Sequence, residues 1–311
     1  MERLTENKII LVKRKTRLEE LISRYNTIEQ AKFYVEHMGI DFSDYIYENK
    51  QYQSSVFQTY KQLETFGRVQ VVDREYIPNF IFGDDDIVVA IGQDGLVANT
   101  LKYLSHQPVI GINPDPERWD GILLPFTVND LNKIIPEVFK GSRTIKEVSM
   151  AKASLNDGQT LYAVNDLFIG QKTHTSSRYN IQFGTVSENQ SSSGIIVSTG
   201  LGSTGWFKSI LAGTSGIINK FYGINENLQI KDFEWGVNYL YFSVREPFPS
   251  KSSKTNIIFG KITPNEPLSI TSQMPENGVI FSDGIESDYV QFNSGIKAAI
   301  TISDKRGHLV V

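Results

Sequence analysis

Apolar residues are distributed along the chain in two textures. Up to about residue 142, short unbroken apolar runs alternate with stretches of helical period. Lys8–Val12 (KIILV) has the pattern of a buried strand. After Thr27, Gln30 stands three residues on as in a capping box, and Ile28, Ala31, Val35 and Met38 share one face. This predicts a helix that Gly39 ends. Tyr52, Val56, Tyr60 and Leu63 line a second helical stripe closed by Gly67, and Arg68–Val72 returns to a strand pattern. Ile87–Ile91 (IVVAI) is the strongest strand signal, running into Gly92–Gln93–Asp94–Gly95 and a helical segment Val97–Leu104. Pro108–Ile112 reads as the next strand, and Leu131, Ile134, Ile135 and Val138 as one more helix before Gly141. Strands separated by helices predict a mostly parallel sheet with covered faces.

From about residue 143 the runs shorten and turn residues crowd between them. Leu161–Ile169, Tyr179–Phe183, Gly194–Ser198, Tyr239–Val244, Asn256–Phe259, Leu268–Thr271 and Ala298–Ile302 read as strands. Asn156–Asp157–Gly158 is a hairpin signal, and only Trp206–Leu211 and Gly216–Tyr222 look helical. The expected fold class is α/β plus β. Residues 1–142 form an α/β domain and residues 143–311 a β-rich domain, with the last strands free to pack back on the first domain.

Composition narrows the chemistry. A chain of 311 residues is about twice an ordinary domain. With no cysteine, thiol nucleophiles, disulfides and iron–sulfur clusters are excluded. A net charge of -4 argues against a general nucleic-acid binder. No apolar run approaches the roughly 20 residues of a membrane helix, and the opening Met1–Glu6 lacks the apolar stretch of a secretory signal. The expectation is a cytoplasmic protein with neither nucleic acid nor membrane as partner.

Three loops could carry chemistry. Gly92–Gln93–Asp94–Gly95 follows the strongest strand, the edge where open α/β sheets bind ligands, and its glycines let backbone N–H groups approach an anion. Taken alone, the loop reads more simply as a plain Gln–Asp–Gly turn after a strand. Ser198–Gly205 packs three glycines and four hydroxyls into eight residues, yet it is neither a Walker loop nor the GxGxxG fingerprint. Asn165–Asp166 interrupts the apolar run Leu161–Ile169, so the pair needs partners, which a ligand with hydroxyls or a backbone turn would supply.

Taken together and in this order, the three loops resemble those of the NAD kinase family. Gly92–Asp94–Gly95 matches its glycine–glycine–aspartate–glycine loop, Asn165–Asp166 its asparagine–glutamate pair, and Ser198–Trp206 its glycine/threonine/serine loop. Val109–Leu124, Ser192–Ser203 and Arg245–Glu246–Pro247 are more similar to the mitochondrial-type branch. The resemblance covers most of the chain. It implies phosphoryl transfer from ATP, or polyphosphate, to the 2′-hydroxyl of the adenosine ribose of NAD or NADH. Mg²⁺ would accompany the donor nucleotide, and the assembly would be a homodimer or higher homo-oligomer. It implies Asp94 as general base, Gly92, Gln93 and Gly95 near phosphates, and Asn165 and Asp166 on ribose hydroxyls and the adenine side. Thr204, Gly205, Trp206 and Ser209 would wrap the dinucleotide, and Asp283, of a further Asp–Gly pair, would bind substrate as well. No protein metal ligand is implied.

The chain also departs from the family pattern. Gln93 replaces the second glycine, Asp166 the usual glutamate, and Gly205–Trp206 an alanine–tyrosine pair. Ser193 stands where the common bacterial branch has an aspartate. Two other classes therefore stay open: a diacylglycerol- or sphingoid-type lipid kinase, which shares a similar glycine–aspartate–glycine loop, and a non-catalytic dinucleotide-binding protein, which Gln93 would suit. Lys13–Arg17 could touch donor phosphates or be solvated charge. His174 and Asp84–Asp86 read as solvated loops, and Trp235 with Tyr239 and Tyr241 as packing or a subunit interface.

Overall fold

The computed structural model of the chain describes residues 7–311 apart from 226, 229, 231, 232, 286 and 287. The opening Met1–Glu6, on which the absence of a signal was read, lies outside the described residues. The chain forms two compact units, Met1–Lys146 with His308–Val311, and Glu147–Gly307.

In the first unit, β1 (Lys8–Lys13) leads to three helices, α1 (Arg17–Tyr25), α2 (Ile28–His37) and α3 (Ser43–Leu63). These are followed by β2 (Arg68–Asp73), β3 (Ile87–Ile91), α4 (Asp94–Leu101), β4 (Pro108–Ile112) and α5 (Leu131–Phe139). The strands lie in the order β2-β1-β3-β4, all parallel. Leu309 continues the sheet beside Val109 of β4. Every residue of β3 is buried, as a strand covered on both faces must be. One face packs Ile9, Leu11, Val89, Ile91 and Ile110 against Tyr52 and Leu63 of α3, Leu131 and Ile135 of α5, and Val310. Because the chain steps outward from β1 to β2 and then back across to β3, the strand order reverses between β1 and β3. The carboxyl ends of those two strands are therefore the expected ligand edge.

The second unit opens with β5 (Ile145–Leu155), β6 (Thr160–Ala163), β7 (Asp166–Gln171), β8 (Ser177–Phe183), β9 (Val186–Ser192) and β10 (Ile195–Ser198). The one long helix, α6 (Trp206–Tyr222), comes next, and then β11 (Leu240–Val244), β12 (Phe259–Ile262), β13 (Leu268–Ser272), β14 (Gly278–Ser282), β15 (Tyr289–Gln291) and β16 (Lys297–Val310). One antiparallel sheet runs β12-β11-β10-β7-β14-β15. Its inner face, with Leu167, Ile169, Val197, Phe242 and Ile280, packs on Tyr179, Ile181, Ile270 and Ile300 of β8, β13 and β16. Its outer face, with Phe168, Ile196 and Val279, is covered by Trp206 and Ile210 of α6. The alternation of Leu167, Phe168 and Ile169 along β7 is the period-two pattern of a strand buried on both sides.

Three of the expected elements are shifted or divided in the structure. The helix after β3 begins at Asp94, three residues earlier than its apolar pattern, so Asp94 and Gly95 form its first turn. The strand expected at Asn256–Phe259 is displaced to Phe259–Ile262, because the Glu188 carboxylate takes the Asn256 and Ile257 N–H groups that a neighbouring strand would otherwise use. The Leu161–Ile169 run is broken into β6 and β7 by a bend at Val164–Asn165.

Candidate functional site

In the first unit, the Gly92–Gly95 segment caps the carboxyl end of β3. Gln93 is the N-cap of α4 with φ -125°, an extended conformation that glutamine adopts without strain, so the replacement of glycine costs no backbone freedom here. Gly92 sits more tightly: a Cβ there would lie 3.0 Å from Leu96 Cδ2 and 3.6 Å from Arg14 Cδ. Asp94, half-buried, occupies the first turn of α4, where the helix dipole favours a carboxylate. Its Oδ1 accepts the Leu123 N–H at 2.7 Å, and among the described residues Oδ2 has no donor. The donor comes from the segment after β4, which is folded on itself by Asn113. The Asn113 side chain donates to Trp119 O at 2.8 Å and accepts the Asp115 N–H at 3.0 Å.

Helix α3 ties this edge together from one side. The Tyr52 hydroxyl donates to Ile91 O and accepts the Arg14 N–H, both at 2.9 Å, linking the ends of β1 and β3. Burial pushes this phenol up to about 12. Ser55 Oγ donates to Pro114 O at 3.0 Å, reaching the end of β4. Glu48, only 4% exposed, pairs with Arg14 at 3.0 Å and with Arg17. Asp44 pairs with Arg17 and Arg118, whose bonds hold its carboxyl below the usual range. Lys13 meets Asp73 at 2.7 Å and Lys15 meets Glu75 at 3.2 Å. The basic run Lys13–Arg17 is thus matched cation by cation with carboxylates of its own unit, and Thr16 within it is the N-cap of α1. This run reads from the sequence either as phosphate contacts or as solvated charge, and its ion pairs add a structural role that neither reading foresaw.

In the second unit the other two loops and the Asp–Gly pair converge on the bend between β6 and β7. The Asp283 carboxylate accepts three successive backbone N–H groups: Val164 at 3.0 Å, Asn165 at 2.6 Å and Asp166 at 3.3 Å. Asp283 N–H in turn donates to Asp166 O at 2.9 Å. On the carbonyl side, Thr199 Oγ1 donates to Val164 O at 2.5 Å and is 3.1 Å from Asn165 O, while Thr199 N–H reaches Asn165 O at 3.0 Å. Gly202 N–H closes the loop onto Thr199 Oγ1 at 3.2 Å. Gly202 must be glycine, because a Cβ would lie 2.0 Å from Asn165 O.

So held, the bend presents Asn165, half-buried, and Asp166, 7% exposed. Among the described residues neither side chain has a hydrogen-bond partner. Burial first, and the neighbouring Asp283 charge second, push the Asp166 carboxyl up to about 7. Thr204 and Gly205 are exposed at the start of α6, as is Ser209 within it. Trp206 stacks on Phe168 with ring centroids 5.9 Å apart and planes 4° from parallel, and the Arg245 guanidinium lies 5.2 Å over it. A pocket of about 840 Å³ runs from Trp206 and Ser209 along α6 to Val244 and Arg245.

The remaining conspicuous residues have structural places. His174 is exposed in a loop, and Tyr239 and Tyr241 pack around Phe233. Asp84 and Asp85 are exposed, but Asp86 is buried and accepts the Gly83 N–H at 2.8 Å, so it is a turn cap rather than a solvated acid. Sequence reasoning missed Thr199 as a clamp, Tyr52 and Glu48 as ties, and Leu123 as the partner of Asp94. A capping-box spacing at Thr16–Glu19 was the one available signal near that edge.

No family model matches the chain. In sequence it is 29% identical over 129 residues to the NAD kinase of Clostridium kluyveri, covering 39% of this chain and 44% of that one. It is 31% identical over 129 residues to that of Chlorobium phaeobacteroides, covering 39% and 43%. The NAD kinase of Saccharolobus islandicus is 24% identical over 153 residues, 49% of this chain and 55% of that one. The matched region thus spans about half the length of these curated relatives, or less. Among solved structures, an Archaeoglobus fulgidus NAD kinase in complex with ATP matches with a TM-score of 0.56 and 15% identity, over 98% of this chain and 93% of that one. Yeast NADH kinase complexed with NADH matches with a TM-score of 0.58 and 12% identity, over 99% and 84%. The fold is that of the NAD kinases. The sequence similarity, independently found, is to the same family.

Proposed function

We propose that the chain is an NAD kinase, transferring the γ-phosphoryl group of ATP to the 2′-hydroxyl of the adenosine ribose of NAD or NADH. The observation that carries this reading is the Val164–Asp166 bend. It is clamped through its N–H groups by Asp283 and through its carbonyls by Thr199, and it leaves the side chains of Asn165 and Asp166 without hydrogen-bond partners among the described residues. Two polar groups held rigid and left unpaired suit a ligand that brings hydroxyls. The likeness to NAD kinases in sequence and fold supports that ligand being a dinucleotide.

In this reading Asp94 is the general base. Oδ1 is anchored by Leu123 N–H, which leaves Oδ2 to take the hydroxyl proton as the oxygen bonds to the γ-phosphorus and ADP departs. Phosphoryl transfer is mostly positioning and charge neutralisation, so one aimed carboxylate is a sufficient protein base. The backbone at Gly92–Gly95 and the start of α4 would meet phosphate, with open space at Gly95 where a Cβ would touch nothing within 4 Å. Mg²⁺ would arrive on the donor's phosphates. There it would neutralise the triphosphate charge. Thr204, Gly205, Trp206 and Ser209 would bind the dinucleotide. We further propose a homo-oligomer in the cytoplasm and, from Val109–Leu124 and Arg245–Pro247, a place near the mitochondrial-type branch.

The test is an assay of the purified chain with Mg²⁺, either ATP or polyphosphate, and NAD, NADH or a diacylglycerol as acceptor. Formation of NADP or NADPH is the expected result. Phosphate transfer to lipid alone, or NAD binding without turnover, would overturn it. Sedimentation of the same preparation reads the oligomeric state.

A further inference from the structure

The carboxylate of Asp283 faces backbone. A carboxylate that accepts three consecutive N–H groups, with its own N–H returned to Asp166 O, fills the nest those amides would otherwise offer to an anion. The residue holds a left-handed conformation, φ 55°, with Gly284 at φ 69° behind it. For a non-glycine residue that conformation is uncommon, and here it turns the side chain back from the end of β14 onto the β6–β7 bend. The bend has no other source of order on its N–H side among the bonds described, while Thr199 and Gly202 fix its carbonyl side.

We propose that Asp283 is a positioning residue: by capping the three amides of the Val164–Asp166 bend it fixes how Asn165 and Asp166 are presented, without itself touching the ligand. This rests on the reading of Asn165 and Asp166 as the ligand-binding pair. It replaces the expectation that Asp283 binds substrate directly. The same carboxylate is a charge set against Asp166, and it adds to the burial that raises its neighbour's proton affinity.

Two variants separate the roles. An asparagine oxygen can still accept the amide hydrogens but carries no charge, whereas alanine can do neither. In Asp283→Asn, KM for NAD should stay within about threefold of wild type. In Asp283→Ala it should rise at least about tenfold, with kcat changed less than KM. Equal loss of NAD affinity in both variants would mean the carboxylate itself contacts ligand, and would overturn the proposal.

A second readout does not depend on turnover. Carbon-detected NMR titration of the Asp166 carboxyl in the free, full-length protein should show its pKa falling in Asp283→Asn, because a facing negative charge is gone. An unmoved Asp166 titration would equally overturn the proposal. Should the wild-type chain phosphorylate no NAD at all, the functional reading fails, and amide exchange at residues 164–166 still decides whether Asp283 orders the bend. Faster exchange in Asp283→Ala than in Asp283→Asn is expected, and equal protection in wild type and Asp283→Ala would overturn the proposal.

Discussion

Asp94 in the first unit and Asp166 in the second are both candidate carboxylates, and their surroundings differ. Asp94 lies at a helix start with one oxygen anchored and the other available, a suitable state for a proton acceptor. Asp94→Asn keeps an oxygen for the Leu123 N–H but removes the base. It should lower the rate of NADP formation by about 10²–10⁴-fold with an unchanged circular dichroism spectrum. A variant with the wild-type rate would remove Asp94 from the mechanism. Asp166, pushed up to about 7, titrates some three pH units above an unfolded aspartate at about 3.9. Between those values the folded chain keeps a proton that the unfolded chain has released. The contribution of this residue to stability is therefore fullest below about pH 4, declines as pH rises through the window, and levels off above about 7. Asp166→Asn carries no such proton. Its thermal midpoint relative to wild type should climb steadily from pH 4 to pH 7, and parallel midpoint curves would show that burial of Asp166 is not felt. The departures at Gln93 and Asp166 were plain from the residues alone. That Gln93 is harmless was not, because only the extended backbone at that position shows that no glycine is needed.

At the level of elements, α3 is the member that orders the carboxyl edge of the first unit's sheet. Its polar face reaches the ends of β1, β3 and β4 through Tyr52, Glu48 and Ser55. Tyr52→Phe strands Ile91 O and Arg14 N in the core and should cost about 1–3 kcal/mol in urea unfolding. Glu48→Ala leaves buried guanidinium charge uncompensated and should cost more, about 3–5 kcal/mol. The reverse order would mean that the phenol, not the ion-pair cluster, holds the helix. The apolar stripe Tyr52–Leu63 made α3 legible as a helix, and IVVAI made β3 legible as a buried strand. What its polar face does was hidden, since a Glu or a Tyr on a helix is ordinarily solvated.

The same reason hid β9. Its inward residues are Glu188, Gln190 and Ser192, so the strand reads as a polar run. They are buried because they satisfy one another and their neighbours. Tyr179 donates to Gln190 at 3.0 Å, and Gln190 donates to Glu188 at 2.7 Å. Burial would raise the Glu188 carboxyl, but bonds from Ile257, Gln190 and Asn256 hold it below the ordinary value. The hydrophobic period finds strands by what they bury, and it fails where the buried face is a polar network. Helix α6 escaped as one piece for a different reason: Gly213 and Gly216 weaken its pattern, although Cβ atoms there would meet only open space.

For the molecule as a whole, the α/β-plus-β class could be read from the change in texture along the chain, and the fold of the NAD kinases carries it. The route of the last strand could not be read that way. β16 spends most of its length in the second unit, pairing Ala298 with Ile270, and ends in the first, where Leu309 pairs with Val109 and Val310 enters the core. Val310→Asp buries a charge among Ile9, Val89 and Leu131, and should destabilise the first unit by several kcal/mol. Hydrogen exchange would show the loss in β1, β3 and β4. Protection lost only in the second unit would contradict that placement.

That route has a consequence for how the protein is made. A ribosome delivers the chain from its amino end, and a segment can fold only from residues already outside the tunnel. The first unit emerges early with its core still lacking Leu309 and Val310, and the edge of β4 beside them still unpaired. The whole of the second unit is synthesised before they appear, on the order of ten seconds or more at about 5–20 residues per second. During that interval the unfinished sheet edge is available to chaperones or to another nascent chain. The second unit is the first to have all its residues, and the half of the protein that begins the chain is the last to be closed.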